Sequence, residues 1–295
     1  MLIVVVYFLI AFSSFYILSM VEDSYFFQRY VDKLTKDEEV INLSREVIKL
    51  VKKSLEKDNP KIDYLNESWA KPITIPIPDG SVDITIVDQE RYLNPNSLIS
   101  NNKINHKYLK IFQRLYSMLE IDEFLIYNIV DWIDKNSVSD GGKEYYEEYK
   151  VKNDYLDSVE EILLIAGYSP DILYGNNDRT TDKPPLKEFL TVYSNGKINI
   201  NTAPKFVLMA LGFDNYEVGK ILEEREKKPF FSVDDFVKRA DVSAEKLKDL
   251  NGILDVKSEN FLVFADININ DNKYKLTFLL KRNGKKFDII WRKLY

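Results

Sequence analysis

The chain has 295 residues, 45% of them hydrophobic, which is enough for a packed core in one or two domains. Its net charge of −6 disfavours a general binder of nucleic acid or anionic lipid, since phosphate affinity needs clustered Lys and Arg. Cysteine is absent, which excludes disulfides and thiolate chemistry, and the one histidine, His106, would have to carry any triad or imidazole-held zinc alone.

The first segment, 1–21, carries no charged side chain, and its Leu, Ile, Val and Phe residues match the length and apolarity of a membrane-spanning helix. No basic residue precedes the apolar run and Glu22 and Asp23 follow it without a small-residue cleavage pattern, so an anchor is expected rather than a secretory signal peptide. A single pass would leave nearly the whole chain on one side of the membrane.

From 22 to 57 there is neither Pro nor Gly, and apolar residues recur at helical spacing through Tyr30, Val31, Leu34, Val40, Val47, Val51 and Leu55. The spacing predicts one unbroken helix that Asn59 and Pro60 stop, roughly 85 Å long at 1.5 Å per residue. The period then changes to two. Residues 73–77 and 82–86 alternate apolar and polar about Asp79 and Gly80, a β-hairpin pattern. Residues 91–255 read as helical with short Asn, Gly and Pro punctuation. Three strands close the chain near 261–269, 274–281 and 286–292, divided by Asn270, Asp271, Asn272 and by Asn283, Gly284. The expected organisation is a membrane segment (1–21), a spine helix (22–58), a first hairpin (70–90), an inserted helical block (91–255) and a C-terminal meander (256–295).

The helical block repeats itself. Asn94-Pro95-Asn96 opens one copy and Asn199-Ile200-Asn201 the other; later each has an aromatic residue ahead of Ser-Val-acid-acid, at Ser158 and at Ser232. Ser with acidic residues behind it suits a helix N-cap, and Thr202, Ala203 and Pro204 suit a capped start with Pro in the first turn. The arrangement resembles the helix-hairpin-helix family, and the second copy looks like a domain of DNA-uptake proteins. That family grips phosphate with a glycine-bearing hairpin; here the hairpin reads Leu211, Gly212, Phe213, Asp214, Asn215, Tyr216, with one glycine and a carboxylate where phosphate would approach.

Over nearly its whole length the chain resembles the K-type minor pseudopilins of type II protein secretion. The resemblance is carried by Asp88-Gln89-Glu90-Arg91, Val130-Asp131-Trp132-Ile133-Asp134, the run 149–153, Ile198-Asn199-Ile200-Asn201-Thr202-Ala203-Pro204 and Ser258-Glu259-Asn260-Phe261. It implies an α+β, pilin-like fold: a long N-terminal transmembrane and spine helix packed on an antiparallel sheet, with a large helical domain of two helix-hairpin-helix-like repeats inserted between strands. It also implies a non-enzymatic tip subunit of a short periplasmic pilus, held in the inner membrane, with I-type and J-type minor pseudopilins as partners. Secreted proteins are further possible contacts and nucleic acid is not expected. The runner-up is a membrane-anchored DNA-uptake receptor.

Pseudopilins are made with a basic leader, which this sequence does not show ahead of Met1; either the chain is numbered from its mature start or Met1 is a misassigned initiator. On the mature numbering Val5 stands where most pilins carry the Glu that neutralises a neighbour's amino terminus, and K-type subunits lack that Glu. A subunit with none above it has no amine to neutralise. Val5, Tyr25, Tyr30, Leu34, Val47, Val51 and Leu55 are the expected partner face.

One loop has metal-ligand character: Asp131, Asp134, Asn136, Asp140 and Glu144, with Gly141 and Gly142 for a tight turn. These donors suit the oxygen cage of Ca²⁺, though Val138 breaks the EF-hand pattern; the same composition also suits a solvated loop. The resemblance implies structural calcium and so favours the cage. The adjacent carboxylates Asp234 and Asp235 read as helix-cap residues rather than acid–base catalysts.

Overall fold

The computed structural model describes residues 2–175, 183–270 and 272–295, apart from the side chains of 2, 4, 5, 8, 9, 11 and 32–36. The Val5 and Leu34 side chains and Asp271 therefore lie outside the described set. Two compact units are formed, Met1–Lys53 and Ser54–Tyr295.

The chain opens with a 55-residue helix, α1 (Leu2–Glu56), uninterrupted because no Gly or Pro falls within it. Tyr7, Phe12, Phe15, Tyr25 and Tyr30 are exposed along it. No helix among the described residues is long and apolar enough to cross a membrane. Val47, Val51 and Leu55, expected on a partner face, are instead buried, as are Val40 and Ile48. A helical apolar period marks burial without saying what does the burying.

The second unit is built on one five-stranded antiparallel sheet in the order β1-β2-β7-β8-β9. Its strands are β1 (Ile73–Ile77), β2 (Gly80–Asp88), β7 (Asn260–Ile269), β8 (Asn272–Asn283) and β9 (Lys286–Leu294). The first turn is made by Pro78 and Asp79, with Ile77 opposite Gly80 and Asp79 at φ 60°, one residue earlier than the alternation suggested. A Cβ on Gly80 would lie 1.9 Å from the Asn268 carbonyl oxygen, so only glycine lets β2 approach β7 there. Alternation sends Val82, Ile84, Ile86, Val263, Ala265, Ile267, Leu276, Phe278 and Leu280 to one buried face.

Residues 89–259 leave the sheet after β2 and return at β7, its hydrogen-bonded neighbour, with Asp88 opposite Phe261. They hold β3 (Ile99–Ser100) paired with β4 (Lys103–Ile104), α2 (His106–Leu119), α3 (Leu125–Ile133), α4 (Pro170–Tyr174) and β5 (Ile198–Asn199). Then follow α5 (Lys205–Ala210), α6 (Asn215–Lys227), α7 (Val233–Ala240), α8 (Ala244–Asp249) and β6 (Leu254–Asp255), which pairs in parallel with β5. One contiguous core runs through them, including Phe112, Leu115, Ile129, Leu173, Leu208 and Phe236.

The internal repeat has a physical basis. In the first copy the Asn96 side chain brackets the backbone of Leu156, accepting its N–H and donating to its carbonyl (2.8 and 3.0 Å). In the second, Asn201 does the same to Phe230 (2.8 and 3.0 Å). Each bracketed residue lies two before the repeated serine. The copies diverge after it: Ser232 caps α7 by accepting from Asp235 N–H, whereas Ser158 makes no side-chain cap and only a short 3₁₀ turn, Val159–Leu164, follows. Pro204 is the N-cap of α5 rather than its first helical residue, and the Thr202 hydroxyl turns instead to Asp88.

Candidate functional site

Two clusters of carboxylates stand out. The first brings together three of the five expected calcium ligands: Asp131, Asp134 and Glu144 have oxygens within 4.8 Å of one another. The end of α3 presents Asp131 and Asp134 one turn apart, both buried. Asp131 organises the loop, accepting Asp140 N–H on Oδ1 (2.8 Å) and Gly142 N–H and the Ser139 hydroxyl on Oδ2 (2.8 and 2.9 Å). Gly142 is required there, since a Cβ would sit 2.3 Å from the Tyr127 carbonyl oxygen. Asp134 Oδ2 and Glu144 Oε1 are buried without any hydrogen-bond donor. Burial, then the negative charges of Asp131, Asp134 and Asp140, push Glu144 up to about 7; burial also raises Asp134. Buried acceptors lacking donors, in surroundings that penalise a further negative charge, fit an oxygen-seeking cation.

The other two expected ligands are placed differently. Asn136 and Asp140 are exposed, and the Asn136 side-chain oxygen accepts Val138 N–H (2.7 Å), closing the turn. Asp140 acts on the cluster through its charge. The spacing did not reveal Asn153: its N–H donates to the Trp132 carbonyl (3.1 Å), and its own side-chain oxygen is a further buried acceptor without a donor.

The second cluster, Asp58, Asp63 and Glu67, also has oxygens within 4.8 Å of one another, but Arg282 supplies a countercharge, with Nη2 2.6 Å from Asp63 Oδ1. It sits at the neck where the insert meets the sheet. Asn199 donates to the Asp63 carbonyl, Asp88 Oδ2 and the Ser258 hydroxyl (3.0, 3.2 and 2.9 Å). Glu90, fully buried, accepts from Asn195 N–H, Glu259 N–H, Asn260 N–H and the Asn260 amide. Three motifs that looked separate in the sequence, at 88–91, 198–204 and 258–261, are thus the parts of one buried polar junction. Most of this buried polarity is paired, while Asp58 Oδ2, Arg91 Nε and Arg282 Nε and Nη1 are buried without a hydrogen-bond partner.

Burial raises three carboxyls of this junction, Asp63 to about 7 and Glu67 and Glu90 to about 8. In Glu67, Oε2 accepts Tyr64 N–H and the Trp69 indole N–H (2.9 and 2.8 Å), while burial, then Asp58 and Asp63, push the acid up to about 8. The folded chain therefore keeps a proton that the unfolded chain releases at its ordinary value of 4.5. Its stabilising contribution is complete below that value and is lost as pH rises to about 8. Glu67→Gln keeps an acceptor for Tyr64 and Trp69 and mimics the protonated acid. The variant should lose roughly 1–2 kcal/mol less than the parent between about pH 5 and 8 in urea unfolding, within the ~1.4 kcal/mol per pH unit that one proton allows. Parallel profiles would show that Glu67 is not a titrating group.

In the hairpin that would hold DNA in a helix-hairpin-helix protein, the four amides of residues 211–214 are used internally. Leu211, Gly212 and Phe213 N–H donate to the Val207, Met209 and Leu208 carbonyls, and Asp214 closes a capping box with Glu217. Asp214 is thus a helix cap that uses its own N–H internally.

Comparisons agree with this architecture. Family models described as type II secretion system protein K match residues 92–174 and 198–257. A curated relative, type II secretion system protein K of Pseudomonas aeruginosa, is 26% identical over 242 residues, covering 77% of this chain and 69% of its own. The fold resembles a chain in the crystal structure of the GspK-GspI-GspJ complex from enterotoxigenic Escherichia coli, with TM-score 0.74 and 21% identity, over 90% of this chain and 99% of that one. A helical insert hung from neighbouring strands of an antiparallel sheet, with these matches, defines a minor pseudopilin of the secretion apparatus. Within that class the similarity is to type II secretion system protein K, through the two family models and the curated relative.

Proposed function

We propose that this pseudopilin sits at the tip of the secretion pseudopilus, where it initiates or caps assembly together with I-type and J-type minor pseudopilins. The observation that carries the reading is the insert: residues 89–259 emerge from and return to one end of the β2–β7 pair, so that end of the sheet is occupied by a folded block with its own core. A subunit stacked on all sides has no room for it. The partners named with the solved relative belong to that protein and support the same company here.

The charge-free stretch 1–21, helical from Leu2 and exposing Tyr7, Phe12 and Phe15, supports anchoring in the inner membrane with the remainder in the periplasm. Asp131, Asp134 and Glu144 are proposed to hold a structural Ca²⁺, which would pin the loop 135–144 to the end of α3. Tyr25 and Tyr30 remain exposed for lateral helix contacts.

Co-expression of the full chain with its cognate I-type and J-type subunits should yield a copurifying complex, and labelled protein should mark one end of each pseudopilus. Labelling along the whole filament would sink the tip assignment.

A further inference from the structure

The sequence from Lys103 to Leu119 contains no Asp or Glu in a chain whose net charge is −6. Within α2, Tyr108, Leu109, Ile111, Phe112 and Leu115 are buried, which leaves Lys107, Lys110 and Arg114 on the exposed side at helical spacing. Some other lysines of the insert pair with carboxylates, Lys220 with Asp241, Lys227 with Glu223 and Lys246 with Glu217, so what sets this face apart is the run of cations without an intervening acid. Among the described residues, Lys107, Lys110 and Arg114 form no ion pair.

Two of these cations are held in place by the second copy of the repeat. Lys107 Nζ donates to the Lys248 and Asn251 carbonyls (3.3 and 3.1 Å), and Arg114 Nη1 to the Ala210 carbonyl (3.4 Å). Gly212 gives Arg114 its room, since a Cβ there would lie 3.0 Å from Nη1. With His106 they line a depression of about 90 Å³ in which Asp249 is the only carboxylate. That is space for about three waters at ~30 Å³ each, the size of a carboxylate group with its first hydration partner.

We propose that this face of α2 docks an acidic segment of another protein, one Asp or Glu side chain entering the depression among Lys107, Lys110 and Arg114. Preplaced cations that lack their own carboxylates favour an anionic partner, and steer its approach. A protein segment fits better than duplex DNA. The positive run is about 10 Å long at 1.5 Å per residue, too short to track many phosphates, and Asp249 lies in the depression itself.

The test uses the full chain in neutral detergent and a fluorescent oligo-glutamate peptide as probe. Saturable binding should weaken steeply with salt and fall about tenfold or more in Lys107→Glu/Lys110→Glu/Arg114→Glu. A control with the same charge change elsewhere, Lys71→Glu/Lys273→Glu/Lys285→Glu, should bind like the parent. Since Lys107 and Arg114 also tie to the backbone, Lys110→Glu, which removes no hydrogen bond, should by itself give a several-fold loss while melting like the parent. Equal loss in the control would reduce the effect to net charge and overturn the assignment. So would unchanged binding by Lys110→Glu and the triple variant, or tighter retention of a duplex of matched charge than of the peptide.

Discussion

Arg282→Leu is expected to destabilise the folded chain by about 3–5 kcal/mol, because it strands a carboxylate in a site that water does not reach. Asp63 is fully buried and the Arg282 side chain is 7% exposed, with 2.6 Å between Oδ1 and Nη2. The guanidinium also lies over the rings of Phe261 and Phe287, 5.4 and 5.2 Å from their centroids, so leucine loses cation–π contact as well. Even with Arg282 present, burial pushes Asp63 up to about 7. Without it the acid should take a proton more readily still, so the defect should shrink as pH is lowered. Arg282→Leu/Asp63→Asn should recover part of the loss, because asparagine still accepts from Ser258 N–H. Urea unfolding followed by tryptophan fluorescence reads both variants. A loss below ~1 kcal/mol in the single variant would mean that Asp63 is already neutral in the fold.

The second large effect concerns the loop after α3, and its sign reverses with calcium. In chelator, Asp134→Asn and Glu144→Gln should each raise the melting temperature, since each removes a charge from a cluster whose Asp134 Oδ2 and Glu144 Oε1 have no donor. With Ca²⁺ at a hundredfold excess over its dissociation constant, the parent should gain about 2.7 kcal/mol by mass action and both variants most of it less. Mg²⁺ should substitute poorly, because it demands a smaller, regular octahedron. Asn136→Ala should cost little, as its oxygen serves a turn rather than the cluster. A melting temperature indifferent to chelator and calcium alike would remove the metal from the proposal.

How far these sites could be read from the sequence depends on the range of the interaction. Strand alternation is local, and the five sheet strands were legible to within two residues at most ends, the turn at Pro78 and Asp79 being displaced by one. Asp131 and Asp134 were legible because three residues along a helix bring side chains to one face. Asn136 and Asp140 were over-read for the same reason that they were found: spacing reports residue types and not the direction of their oxygens. Val47, Val51 and Leu55 are buried, and apolar periodicity marks such positions without naming what covers them. The neck was not legible at all. Asp63 and Arg282 are 219 residues apart, and Asn199 lies 111 from Asp88; no local pattern announces such pairs. The motifs at 88–91, 198–204 and 258–261 marked where to look without saying that they meet.

The pairing of Asp88 with Phe261 makes the insert topologically dispensable: joining the ends of β2 and β7 by a two-residue turn would leave every strand in register as an ordinary hairpin. A polypeptide with such a seam can acquire or exchange a whole body there in one genetic event. The polar neck then makes the acquisition hard to reverse. Excising residues 89–259 would delete Glu90, Asn199 and Thr202, withdraw the Glu90 acceptors from the Asn260 N–H and side-chain amide, and leave Asp88 without its Thr202 and Asn199 donors. A body that strand order alone would let go is held to the sheet by a handful of hydrogen bonds.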